Sequence, residues 1–129
     1  MRIVHGYLLV FLGAGLGGSL RHLANQIALR IFGPGLPLGT VFVNILGSLF
    51  IGAIAGYFAL RGHGQQQLQL FLATGILGGF TTFSAFSLEA ALLWERGEPL
   101  NCLLFVGASV ILSIAGVFAG LALGKWSAV

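Results

Sequence analysis

The chain has 129 residues, 57% of them hydrophobic and only 7% charged: six Lys or Arg against three Glu, with no Asp. A soluble domain carries about a quarter of its residues as charges, so a soluble enzyme is excluded. A nucleic-acid binder is excluded too, because the net charge of +3 comes from scattered cations and not from a basic patch. Cys102 is the single cysteine, which removes an internal disulfide and a cluster of thiolate ligands. Such a composition belongs to an all-α integral membrane protein, and 21 Gly against 3 Pro suit closely packed membrane helices.

A helix needs about 20 apolar residues to cross the hydrocarbon layer. The first run, about residues 3–30, continues through Arg21 to about Leu29. Its start, with Arg2, an apolar stretch and the small pair Gly13 and Gly15, imitates a signal peptide. Cleavage would discard a Gly-rich segment suited to packing, so the run is read as a retained span. Gly33-Pro34-Gly35-Leu36-Pro37 is a turn, and the second span follows at about 38–60 without a charge. Arg61-Gly62-His63-Gly64 and Gln65 to Gln67 lead to the third span, about 68–94, whose one charge is Glu89 near its far end. Glu95-Arg96-Gly97-Glu98-Pro99 precedes the fourth span, about 100–125, with Pro99 placed to start a helix. Residues 1–129 thus form a single membrane domain. The runs are continuously apolar instead of alternating, which selects helices over a barrel.

With four spans, Arg2, Arg61 and Lys125 share one side of the membrane, and Arg21, Arg30 and Arg96 the other. Orientation follows the cytoplasmic excess of Lys and Arg, and here there is none. The chain is expected to insert either way up and to pair as an antiparallel two-fold dimer. Small-xxx-small pairs at Gly13/Gly17, Gly52/Gly56, Gly75/Gly79 and Gly116/Gly120/Gly124 allow close backbone approach and favour a compact bundle that dimerises.

Polar residues inside a bilayer are the informative ones. Asn44, in the first half of span two, is either an interhelical hydrogen-bond partner or a donor facing a pore. In span three, Gly75-Ile76-Leu77-Gly78-Gly79-Phe80-Thr81-Thr82-Phe83-Ser84-Ala85-Phe86-Ser87 makes a poor helix centre. An unwound turn there would fall near the bilayer midplane, where exposed backbone is tolerable only beside a cavity or an ion. Freed carbonyls would suit a dehydrated cation; freed N–H groups and hydroxyls would suit an anion. A kinked but sealed helix with Phe as core packing is the bland alternative. Phe105, Ser109 and Ser113 recur every four residues as one stripe on span four. No carboxylate lies in the middle of a span, which argues against proton-coupled exchange. His5, His22 and His63 sit near span ends, which argues against a metal site built on His. No Ser–His or Cys–His pair shares one depth, so intramembrane hydrolysis is not expected.

Together, Gly13-Ala14-Gly15-Leu16-Gly17-Gly18-Ser19-Leu20-Arg21-His22, Gly39-Thr40 through Asn44 to Gly47, and Gly78-Gly79-Phe80-Thr81-Thr82-Phe83-Ser84-Ala85-Phe86 resemble the Fluc (CrcB) family of fluoride channels. His22 stands where the family usually has Tyr, and Ala85 where it commonly has Thr. The resemblance implies four transmembrane helices per chain, the third interrupted near mid-membrane, in an antiparallel dual-topology homodimer with two fluoride pathways. It implies a structural Na⁺ at the dimer centre, held by the backbone carbonyls of Gly78 and Thr81 from both subunits. Phe83 and Phe86 would line the pathways, with Asn44 donating to the ion. Thr82 and Ser84 would stand beside them, and Ser109 and Ser113 would belong to a polar track. Glu89 would lie near one vestibule, and Arg21 near a pore entrance. The implied activity is passive fluoride export across the cell (inner) membrane, with no enzymatic step. The alternative of the same size and span number is a small proton-coupled multidrug transporter, which wants a mid-membrane carboxylate, typically in the first span. A third is a non-transporting assembly factor whose glycines only pack helices.

Overall fold

The computed structural model describes residues 1–62 and 64–129; His63, expected near a span end, lies outside the described residues. Helix α1 covers Arg2–Phe32 and α2 covers Leu38–Arg61. The next membrane-length stretch, Gln66–Glu95, begins as α3, Gln66–Gln69, and passes through a π-helical stretch, Leu70–Leu77, into α4, Gly78–Phe80. It resumes as α5, Ser84–Glu95, and the chain closes with α6, Pro99–Ala128. Arg2–Phe32, Leu38–Arg61, Gln66–Glu95 and Pro99–Ala128 are each long and apolar enough to cross a membrane. Among the described residues no other element contributes to the fold.

Helix ends are set by backbone geometry. Gly33 and Gly62 follow α1 and α2 with φ of 76° and 82°, a region where a Cβ is costly. Their N–H groups bond Leu29 O (2.9 Å) and Phe58 O (3.2 Å), satisfying last-turn carbonyls. Pro99 opens α6, where its missing N–H costs nothing.

Glycine decides which helices meet. In α2 and α6, a Cβ on Gly52 or Gly56 would strike the carbonyls of Val117 or Leu121. One on Gly120 or Gly124 would strike those of Leu49 or Ala53. The two backbones therefore touch, in a packing that only hydrogen atoms permit. The partners advance together, with Gly116 against Ile45 and Leu49, Gly120 against Leu49 and Ala53, and Gly124 against Ala53 and Tyr57, so α2 and α6 run parallel in a constant register. α1 makes the matching parallel pair with the third stretch: Gly13 meets Gly75, Gly17 meets Ile76 and Phe80, and Gly79 meets Ala14.

Little apolar surface is buried within one chain. Leu93, Phe86 and Phe105 form the core cluster between α5 and α6, with Leu36, Val41 and Val106 packed against it. Large apolar side chains on every membrane-length stretch, such as Phe11, Phe50, Leu88 and Phe118, face outward. That is the outward face a protein shows to lipid tails rather than to water.

Candidate functional site

The site is built where α4 gives way to α5. α4 closes at Phe80, and Thr81 is extended, with φ −85° and ψ 161°. Thr81 spends both its N–H (3.0 Å) and its hydroxyl (2.9 Å) on Leu77 O. Asn44, from α2, takes the next peptide: its Nδ2 donates to Thr82 O at 2.9 Å, and its Oδ1 accepts from Thr82 N–H at 2.8 Å. Thr82 Oγ1 in turn accepts from Ala85 N–H at 3.1 Å, capping the start of α5.

These bonds redirect amides that a continuous helix would use. Thr82 N–H would serve Gly78 O and Ala85 N–H would serve Thr81 O, four residues back. Both go elsewhere, which frees the Gly78 and Thr81 carbonyls. One of the two carbonyls between them is answered from another helix, because Arg21 Nε, on α1, donates to Gly79 O at 3.1 Å. Gly47, next to the break on α2, has no room for a Cβ, which would strike the Thr81 methyl group.

Beside this peptide lies a cavity of about 430 Å³ lined by Asn44, Ser48, Gly78, Thr81, Thr82, Phe83, Phe86, Ser109, Val110, Ser113 and Ile114. None of these side chains is charged. Phe83 is 77% exposed and stands against Phe86, ring centroids 5.5 Å apart; Phe86 is buried against Phe105 at 5.2 Å. Ser109 is 4% exposed, and the hydroxyl oxygens of Ser109 and Ser113 are buried with no hydrogen-bond partner among the described residues. A helical serine ordinarily bonds its own backbone one turn back, as Ser87 does to Phe83 O at 2.9 Å. These two keep a donor free on the cavity side.

A second cavity, about 320 Å³, is lined by the Gly33–Pro37 turn together with Asn25, Thr40, Glu89 and Arg96. Thr40 donates its hydroxyl to Glu89 Oε1 at 3.1 Å, and Glu89 Oε2 is buried without a partner among the described residues. Thr40 is one turn before Asn44 on α2, and Glu89 is one turn after Phe86 on α5. The two cavities thus draw on successive turns of the same two helices.

The structure thus brings together Asn44, Thr82, Phe83, Phe86, Ser109 and Ser113 in one cavity and places Glu89 in the next. Arg21 lines neither, and is engaged with Gly79 O instead. Ser84 is exposed, and its hydroxyl lies 3.5 Å from that of Thr82. Sequence reasoning passed over Thr40 and Ser48, although both stand four residues from Asn44 on one helix face.

Residues 8–121 match the family described as CrcB-like protein, Camphor Resistance (CrcB). The chain belongs to the CrcB-like family. Among relatives of this CrcB-like chain is the protein named Fluoride-specific ion channel FluC of Rhodopseudomonas palustris (strain BisB5). It is 59% identical over 117 residues, spanning 91% of this chain and 94% of the relative. Fluoride-specific ion channel FluC 2 of Nitrobacter hamburgensis is 55% identical over 117 residues, with the same two shares. Fluoride-specific ion channel FluC of Methylobacterium nodulans is 57% identical over 115 residues, 89% of this chain and 92% of the relative.

Proposed function

We propose that this CrcB-like protein is a fluoride-selective channel of the cytoplasmic membrane that lets fluoride leave the cell down its gradient. The observation that carries the reading is the uncharged cavity at Asn44, where two buried serine hydroxyls have no protein partner, in a chain whose relatives are named fluoride-specific channels. Taking even a carboxylate-sized ion from water into a low-dielectric medium costs on the order of 20 kcal/mol by idealised solvation arithmetic. A full positive charge would offset this and then trap the ion, whereas conduction needs sites weak enough to leave. Asn44 Nδ2 keeps one hydrogen beyond the one given to Thr82 O. With the hydroxyls of Ser109 and Ser113 and the positive edges of Phe83 and Phe86, it spreads the compensation over several modest contacts.

The working unit in this reading is an antiparallel homodimer of oppositely inserted copies, with two pathways and the third span interrupted near mid-membrane. Its support is the equal division of cations between the two sides and the scarcity of core within one chain. A structural Na⁺ would take the Gly78 and Thr81 carbonyls, hard oxygen donors whose usual helical amides, those of Thr82 and Ala85, bond elsewhere. A second copy would supply the same pair. The bound cation would offset the carbonyl dipoles where the two broken spans cross. The proton-coupled transporter finds no support, because the Asn44 cavity has no carboxylate to carry a proton.

The test is fluoride efflux from liposomes containing the purified protein, read with a fluoride-selective electrode. Fast efflux with chloride retained is the expected result; vesicles that hold their fluoride would overturn the reading.

A further inference from the structure

Hydroxyl groups on these helices are used in different ways: Thr40 donates to Glu89, and Ser84 lies beside Thr82. Ser19, Thr81, Ser87 and Ser127 bond back to the carbonyls of Gly15 (2.7 Å), Leu77 (2.9 Å), Phe83 (2.9 Å) and Gly124 (3.0 Å). Ser48, Ser109 and Ser113 make no such bond among the described residues, and all three line the 430 Å³ cavity. Thr74 also makes none, but it is exposed and no part of that cavity.

The parallel register of α2 and α6 orders the cavity groups along the membrane normal. Gly116 lies against Ile45 and Leu49, and Gly120 against Leu49 and Ala53. Stepping back by whole turns puts Ser113 level with Asn44, and Ser109 level with Thr40. One turn further on, the α6 row reaches Val117 and its hydroxyls end. At that level α2 presents Ser48, completing a row of Thr40, Asn44 and Ser48 at every fourth residue. Successive rungs are about 6 Å apart along the axis, so a small anion midway lies about 3 Å from each, within reach of both donors.

We infer that Ser48 is a further fluoride-coordinating residue, the donor that receives the ion where the α6 hydroxyls stop. The inference rests on the fluoride-channel reading and adds a second wall to the pathway: α6 supplies the first hydroxyl rungs and α2 the last. Ser48 Cβ, not its hydroxyl, makes the helix contact: a Cβ built on Gly116 would meet it at 3.8 Å, ordinary van der Waals distance. Removing only the hydroxyl therefore leaves the helix contact as it is.

The experiment is current recording from the full-length protein in planar bilayers under fluoride, for the wild type, Ser48→Ala and Ser48→Thr. Ser48→Ala is expected to keep the wild-type elution profile and melting temperature. Its fluoride current should fall about fivefold, the factor for one neutral hydrogen bond, and the half-saturating fluoride concentration should rise. Ser48→Thr should restore both. Wild-type current and half-saturation in Ser48→Ala would overturn the inference, and so would loss of the folded state in that variant, which would make the residue structural. A folded Ser48→Thr that fails like Ser48→Ala would overturn it as well. A wild type that passes no fluoride is a different result, since it removes the channel reading itself.

Discussion

Asn44 holds the Thr82 peptide at both ends, donating to its carbonyl at 2.9 Å and accepting from its N–H at 2.8 Å, across 38 residues of sequence. Both bonds are satisfied in only one orientation of the amide, since turning it over would set donor against donor and acceptor against acceptor. The same contact that shapes the peptide between α4 and α5 leaves one Nδ2 hydrogen for the cavity.

Asn44→Asp keeps the size and the acceptor of this side chain but removes the donor. Thr82 O then faces a carboxylate oxygen, and a negative charge enters the uncharged cavity proposed to pass fluoride. A buried carbonyl stripped of its partner costs about 1–3 kcal/mol, so the melting temperature should drop. Fluoride efflux from proteoliposomes should fall to that of protein-free vesicles. Persistent fluoride-selective efflux would remove Asn44 from the pathway.

Phe83 offers the opposite case. At 77% exposed it contributes little to the fold of one chain, and Phe83→Ile should leave thermal stability within about 0.5 kcal/mol. The ring edge is lost, and a contact of this type is worth about 0.5–1.5 kcal/mol, or up to about tenfold in rate. A fluoride electrode should show that loss while gel filtration shows an unchanged particle.

Gly120→Ala and Gly15→Ala separate packing from composition. A Cβ on Gly120 collides with Leu49 O, whereas one on Gly15 meets nothing within 4 Å. Forcing α2 and α6 apart should cost about 1–3 kcal/mol, visible as a lowered midpoint in thermal unfolding in detergent. Gly15→Ala should melt like the wild type.

Arg21→Met tests the hydrogen bond that α1 makes to α4. Gly79 O loses a charged donor held at 3.1 Å, a bond in the class worth about 1.5–3 kcal/mol. The melting temperature should fall, and replacing Na⁺ by a bulky organic cation should lower it further in the wild type. An unshifted midpoint after sodium removal would count against a structural cation at the Gly78 and Thr81 carbonyls.

Four membrane-length helices were legible because lipid demands long uncharged runs, and Leu38 to Leu60 needs no tertiary context to be read as one. The small-residue pairs were legible as contact faces but not as partners. Nothing local to Gly52 or Gly120 says that α2 lies beside α6, because that choice is made by shape matching between distant turns. The π-helical stretch over Leu70–Leu77 left no mark in composition. The serine stripe on α6 was readable because one residue type repeats. Its counterpart on α2, written as Thr40, Asn44 and Ser48, mixes three side chains, of which Asn44 and Ser48 come together in one cavity and Thr40 lines the other. Likewise, Thr40 and Glu89 stand 49 residues apart, and only folding joins them.

The parallel pairing of α1 with the third stretch and of α2 with α6 also bears on how the protein is made. Each of the first two helices is translated well before its mate, and α2 has no partner until α6 has been made. A nascent chain halted before Pro99 would hold the Gly52 and Gly56 face of α2 open to lipid, so closure of this pair awaits α6.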